Sequence, residues 1–230
     1  WTLAVGRELT DPPRYAEDFL GSKLMQNWED ALEDAIDADA AQLNLAYVSA
    51  EPELYSWYYR DREDEESDLS NLPLTAYLIN LGMTSMNAPL DVRILDTVGL
   101  ATPIAARMPR DPKGRVGHDK FLDPAWQAAD TDTYLDGLPP FISSMRAKQA
   151  RAALRSPEIS ELLATSREPM SWERFWKNVR YSLSDGRTLQ LSSDPGLYID
   201  ADTRRAIRRG ANPGMDGAQL AWPVEAHARK

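Results

Sequence analysis

The sequence contains no cysteine, so it builds no disulfide framework and offers no thiolate for nucleophilic, redox or metal chemistry. It has two histidines, His118 and His227, too few for an imidazole cluster that would hold a catalytic zinc. No Gly-x-x-x-x-Gly-Lys loop cradles a nucleotide phosphate, and no Gly-x-Ser-x-Gly elbow presents a nucleophilic serine. Long apolar runs are also missing. The longest candidate, LPLTAYLINLGMTSMNAPL, is broken by Asn80, Gly82, Asn87 and two prolines, so this chain is not expected to span a membrane by itself. There is no initiating methionine, signal peptide, internal repeat or low-complexity segment, and the opening WTLAVG reads as a domain cut from something longer.

Present instead is an ordinary globular composition, with 43% hydrophobic and 27% charged residues over 230 positions. That length supports a substantial core. The net charge of −10 repels nucleic acid over most of the surface. The charge is uneven: residues 1–72 hold 18 acidic and 5 basic side chains, whereas 141–230 hold 10 acidic and 15 basic. The basic end would suit anionic headgroups, or simply form a solvated surface.

Along the chain, Phe19, Leu20, Leu24, Trp28, Leu32 and Ile36 recur at the spacing of an amphipathic helix. Its other faces carry Glu29, Asp30, Glu33, Asp34, Asp37 and Asp39, which read as a solvated acidic face rather than a cation site because no Gly-containing ligand loop accompanies them. Tyr55, Trp57 and Tyr59 would share one side of a strand, either to stack on sugar rings or to enter the core. The acidic stretch from Arg62 to Asp68 reads as a loop. LTAYLINLGMTSMN predicts a short helix ending near Gly82, and DVRILD predicts a strand that delivers Asp96 to its C-terminal end. A glycine turn then leads into a short helix carrying Arg107. A carboxylate at a strand end is placed to build a site, or to cap the helix that follows.

Three segments with helical spacing each begin with serine: SSMRAKQARAAL, SPEISELLATS and SWERFWKNVRYSL. The second has the clearest start signal, with Ser156 as N-cap, Pro157 at the first position and Glu158 in the first turn. RTLQLSS predicts a strand, and DADTRRAIRRG a helix whose Arg204, Arg205, Arg208 and Arg209 form one basic face. The expected fold is α+β, an α-rich mixed domain with a small sheet, in which residues 1–230 form a single domain.

The densest polar constellation is Arg115, His118, Asp119 and Lys120, interleaved with Gly114 and Gly117. Glycine lets backbone approach a ligand, the cations suit phosphate or hydroxyls, and aspartate accepts from sugar hydroxyls. A glycine-rich turn whose His and Asp satisfy local backbone groups explains the same spacing.

The run NLGMTSMNAPLDVRILDTVGLATPIAARMPRDPKGRVGHDKFL, Asn80 to Leu122, resembles the C-terminal domain of the terminal β-(1→2)-arabinofuranosyltransferases of mycobacteria and corynebacteria, a family of polytopic GT-C-type membrane glycosyltransferases. SPEISELLATSREPMSWERFWKNVRYSL, Ser156 to Leu183, is similar to the same region of that family. The resemblance implies a soluble domain on the extracytoplasmic side of the cell membrane, attached to a multi-helix membrane portion. It implies transfer of arabinofuranose from decaprenyl-phosphate-arabinose to the non-reducing ends of cell-wall arabinan, in arabinogalactan and lipoarabinomannan. The catalytic carboxylate would sit in the membrane portion, so no catalytic residue, cofactor or metal is expected in this chain. Asp96, Arg107, Arg115, His118, Asp119 and Lys120 would line the face nearest the membrane portion. Arg115 or Lys120 would stabilise donor phosphate or acceptor oxygens, Asp119 would accept sugar hydroxyls, and His118 would orient the loop. Tyr55, Trp57, Tyr59 and Trp126 would stack on sugar rings. The same positions would also serve for packing against the membrane portion. A related group of flagellar motor control proteins shares similar motifs, and it carries the alternative of a non-catalytic interaction domain.

Overall fold

The computed structural model describes residues 27–50, 53–62, 72–78 and 81–212, together with positions 15, 18 and 25. The chain order is α1 (Trp28–Asp37), β1 (Gln42–Ala50), β2 (Glu53–Arg60), β3 (Thr75–Leu78), α2 (Leu81–Met86) and β4 (Arg93–Asp96). A helical half follows: α3 (Pro103–Ala106), α4 (Pro124–Ala129), α5 (Ser144–Ala153), α6 (Pro157–Arg167), α7 (Trp172–Leu183), α8 (Asp185–Thr188), a 3-10 turn at Pro195–Tyr198, and α9 (Ala201–Arg208). The class is α+β, α-rich with one small sheet, as the sequence predicts.

The sheet has four strands in the order β2-β1-β3-β4. β2 runs antiparallel to β1, whereas β1, β3 and β4 are parallel. Side chains alternate across a strand, and here the alternation separates two environments. Leu43, Ala76, Leu78 and Ile94 face α1, where they pack with Trp28, Leu32 and Ala35. Tyr77 and Leu95 face the helical half and join a core containing Ile104, Trp126, Ile159 and Leu163. Gln42, Thr75 and Arg93 share that second face by register and are buried as well.

That burial is possible because the segment after α4 supplies partners. Asp130, fully buried, accepts from Arg167 at 2.7 Å and from the Tyr77 hydroxyl at 3.1 Å, and Arg93 donates to its backbone carbonyl. Burial, with Asp130 alongside, raises the Tyr77 hydroxyl well above its ordinary range. Gln42 Oε1 accepts from Arg60 at 3.2 Å, while Arg151 donates to the carbonyls of Thr131 and Thr133 at 2.9 and 2.6 Å. Buried polar groups need such partners.

Two expected elements differ. Thr75–Leu78 is a strand rather than the start of a helix, and the helix begins at Leu81 instead of ending near Gly82. All four residues of β3 are buried because both faces of this inner strand are covered, so its sequence lacks the alternation that marks a half-exposed strand. RTLQLSS forms no strand: Asp185–Thr188 is a helical turn, and Leu191 instead donates its amide to the Arg107 carbonyl at 2.8 Å.

All three serine-started helices form. Ser143 accepts from the Arg146 amide at 3.3 Å and Ser171 from the Arg174 amide at 3.0 Å. Ser156 occupies the N-cap position of α6 without a capping bond from its hydroxyl. In α1 the buried stripe is Trp28, Leu32 and Ala35, while Ile36 is exposed. Phe19, Leu20, Leu24, residues 63–70 and His227 lie outside the described residues.

Candidate functional site

β4 ends at Asp96, which is fully buried. Its carboxylate accepts from the amides of Val98, Leu100, Ala101 and Thr102 at 3.1, 2.7, 2.8 and 2.9 Å, and from the Thr102 hydroxyl at 3.2 Å. Burial works to raise its pKa, but the amides of Ala101, Leu100 and Thr102 outweigh it and hold the carboxyl below the usual range. Asp96 therefore shapes the turn into α3. Gly99 completes that turn at φ 84, where an added Cβ would lie 2.5 Å from the Ala106 amide nitrogen.

Arg107 follows α3 as its C-cap. The chain then forms a loop closed by the Asp111 amide donating to the Asp119 carbonyl at 2.6 Å. Asp119 is buried at the base, where Arg110 donates to it and holds its carboxyl below the ordinary range. Lys120 is tied to the Ala106 carbonyl at 2.6 Å. Arg115, Val116 and His118 are exposed at the tip, which turns through Gly117 at φ 79. The expected constellation thus divides: Asp96 holds the turn into α3, Asp119 and Lys120 hold the loop, and Arg115 and His118 face outward.

The aromatic candidates divide too. Trp126 is fully buried with its indole donating to the Ser193 carbonyl at 3.2 Å, so it shows no ring face to solvent. Trp57 packs on Trp28 with ring centroids 4.8 Å apart. The Tyr55 side chain lies outside the described residues. Tyr59 is 44% exposed and lines a cleft.

That cleft, about 600 Å³, lies between the end of edge strand β2 and the segment Thr133–Pro139. Tyr58, Tyr59 and Tyr134 line it together with Arg60, Asp61 and Arg62. Arg62 joins the two walls: it pairs with Asp132, with Asp39 at 3.0 Å, and bridges to Thr133. Burial pushes the Asp132 carboxyl up against the opposing pull of Arg62. Arg60 lies over the Tyr58 ring, 5.5 Å from its centroid, and donates to the Tyr58 hydroxyl at 3.3 Å. The walls are therefore held in place before any ligand arrives. Tyr58, Arg60 and Tyr134 were not among the residues the sequence singled out. The aromatic run points to Tyr58, but no spacing rule brings Tyr134 beside it.

Tyrosine faces stack on the apolar side of sugar rings, and fixed guanidiniums and carboxylates bond hydroxyls. The cleft has no set of metal ligands. Among the described residues, no group of three or more His, Asp or Glu side chains is placed to hold a metal ion, and no helix is long and apolar enough to cross a membrane.

A terminal β-(1→2)-arabinofuranosyltransferase of Corynebacterium glutamicum is 42% identical over 230 residues, covering 98% of this chain and 33% of the relative. One of the same name from Mycobacterium tuberculosis is 40% identical over 108 residues, covering 46% of this chain and 17% of the relative. The chain thus spans about a third or less of the curated relatives it matches. No solved structure matches it. The family model for the AftB family C-terminal domain matches residues 21–201, which take in the sheet, the cleft, the Arg115–Lys120 loop and helices α1 to α8, and the chain belongs to that family.

Proposed function

We propose that residues 1–230 are one extracytoplasmic domain of a polytopic GT-C-type arabinofuranosyltransferase, and that the domain binds the arabinan acceptor. The whole enzyme would move arabinofuranose from decaprenyl-phosphate-arabinose to arabinan termini of arabinogalactan and lipoarabinomannan. The reacting groups would belong to the membrane portion, and this chain would contribute binding and orientation.

The observation that carries the reading is the tyrosine cleft. Its exposed rings, Tyr59 and Tyr134, flank charged groups already fixed by Asp39, Asp132 and Gln42. A preorganised wall loses little freedom on binding, which suits a flexible furanose chain. Arg115 and His118, exposed on a loop braced by Asp119 and Lys120, are the second contact, suited to donor phosphate or acceptor oxygens.

Titration of the isotope-labelled chain with an arabinofuranose oligosaccharide tests this by NMR. Shifts are expected at Tyr59, Thr133 and Tyr134, with a further set at Gly117 and His118. Shifts confined to other regions, or none at millimolar ligand, would overturn direct acceptor recognition.

A further inference from the structure

α7 is amphipathic in the reverse sense. Its inward face is polar: buried Arg174 pairs with Glu161 and with Glu168 at 2.9 Å and donates to Asn178 at 2.8 Å, and Asn178 donates to the Thr165 carbonyl at 2.9 Å. Its outward face is apolar. Trp172 is 79% exposed, Trp176 62% and Leu183 74%, with Phe175 beside them. These residues recur at helical spacing and make one stripe. The rings are already assembled, Trp172 to Phe175 at 5.8 Å and Phe175 to Trp176 at 5.2 Å, both edge-on. Rolling the helix to hide them would strand Arg174 without its carboxylates, so the aromatic face is fixed outward.

Charge indicates what covers it. Lys177 and Arg180 run along one flank and Arg187 follows in α8, all exposed. With Arg174 buried, residues 170–187 expose three basic side chains, Lys177, Arg180 and Arg187, against Glu173 and Asp185, and Lys177 pairs with Glu173 at 3.1 Å, so the stripe's border is locally positive by a single charge in a chain whose net charge is −10. A second copy docked stripe to stripe would bring these cations together. A surface of phosphate headgroups above an apolar layer complements both the cations and the rings, and a narrow Trp-rich stripe with flanking Lys and Arg is what an interfacial helix presents.

We propose that α7 lies in the plane of a membrane surface, with Trp172, Phe175, Trp176 and Leu183 in the headgroup boundary of a bilayer containing anionic lipid and Arg180 and Lys177 at phosphate level. The proposal stands apart from glycan binding and has its own readout.

Co-sedimentation of the 230-residue chain with vesicles of phosphatidylethanolamine and phosphatidylglycerol, against phosphatidylcholine vesicles, tests it. The chain is expected to partition onto the anionic vesicles more strongly than onto the neutral ones. The double substitution Trp172→Ser, Trp176→Ser, and Phe175→Ser separately, should each weaken partitioning, the double by on the order of tenfold or more, with the melting temperature retained because these rings are exposed. Absence of sedimentation with either vesicle would overturn the proposal, as would equal partitioning of folded variants and parent. Dimers in lipid-free solution that the double substitution dissolves, without vesicle binding, would overturn it in favour of a second copy.

Discussion

Asp130 is the acceptor on which two buried guanidiniums and a buried phenol converge, so removing it strands Arg93 and Arg167 in the core. Asp130→Ala should therefore cost about 3–5 kcal/mol in urea or thermal unfolding, whereas a surface pair is worth at most about 1 kcal/mol. Asp96 acts differently, because its partners are amides of its own turn. Its folded pKa lies below the unfolded value of about 3.9, so its contribution is full above that pH and is lost as pH falls through the folded value. Asp96→Asn should destabilise the chain at pH 6, and the gap from the parent should narrow below about pH 4 in melts recorded across that range. Asp96 was legible in the sequence as a residue at a strand end that builds a site or caps a helix, and the structure gives it the turn. Asp130 was not legible. Its partners lie 37 and 53 positions away, and no local pattern records an ion pair closed by tertiary packing.

The helices follow from local chemistry, and that is why serine starts and apolar spacing predicted α5, α6 and α7. The caps are not equal, however. Ser171→Ala removes a bond to the Arg174 amide and should cost about 1 kcal/mol by chemical denaturation, while Ser156→Ala should be nearly neutral, since no amide donates to that hydroxyl. Equal losses at both positions would contradict the geometry. Strands were harder to read because they depend on what covers them. β4 was predicted by its apolar content, but β3, buried on both faces, gave a continuous apolar run that suits helix or strand alike. RTLQLSS erred the other way: its spaced leucines face the helical core from irregular backbone, with Leu191 buried and Leu189 packed at its edge.

Across the whole molecule, the sheet divides an apolar layer against α1 from a mixed layer against the helices, where Tyr77 and Leu95 enter the helical core beside buried Gln42, Thr75 and Arg93, and the cleft opens at the end of β2. The Arg62–Asp132 pair that joins its walls spans 70 positions of sequence. One wall was visible as an aromatic run containing Tyr59, and the other had no sequence signal. The central claim is that this cleft binds arabinan for chemistry performed in a membrane portion. An arm that holds acceptor equally before and during transfer changes KM and leaves kcat nearly constant. The most direct measurement is arabinose transfer by membranes carrying the complete gene product, with Tyr59→Ala and Tyr134→Ala combined. A KM for the arabinan acceptor raised on the order of tenfold, with kcat held within about twofold, is the predicted result. Unchanged acceptor KM in a variant present at parental levels would contradict it.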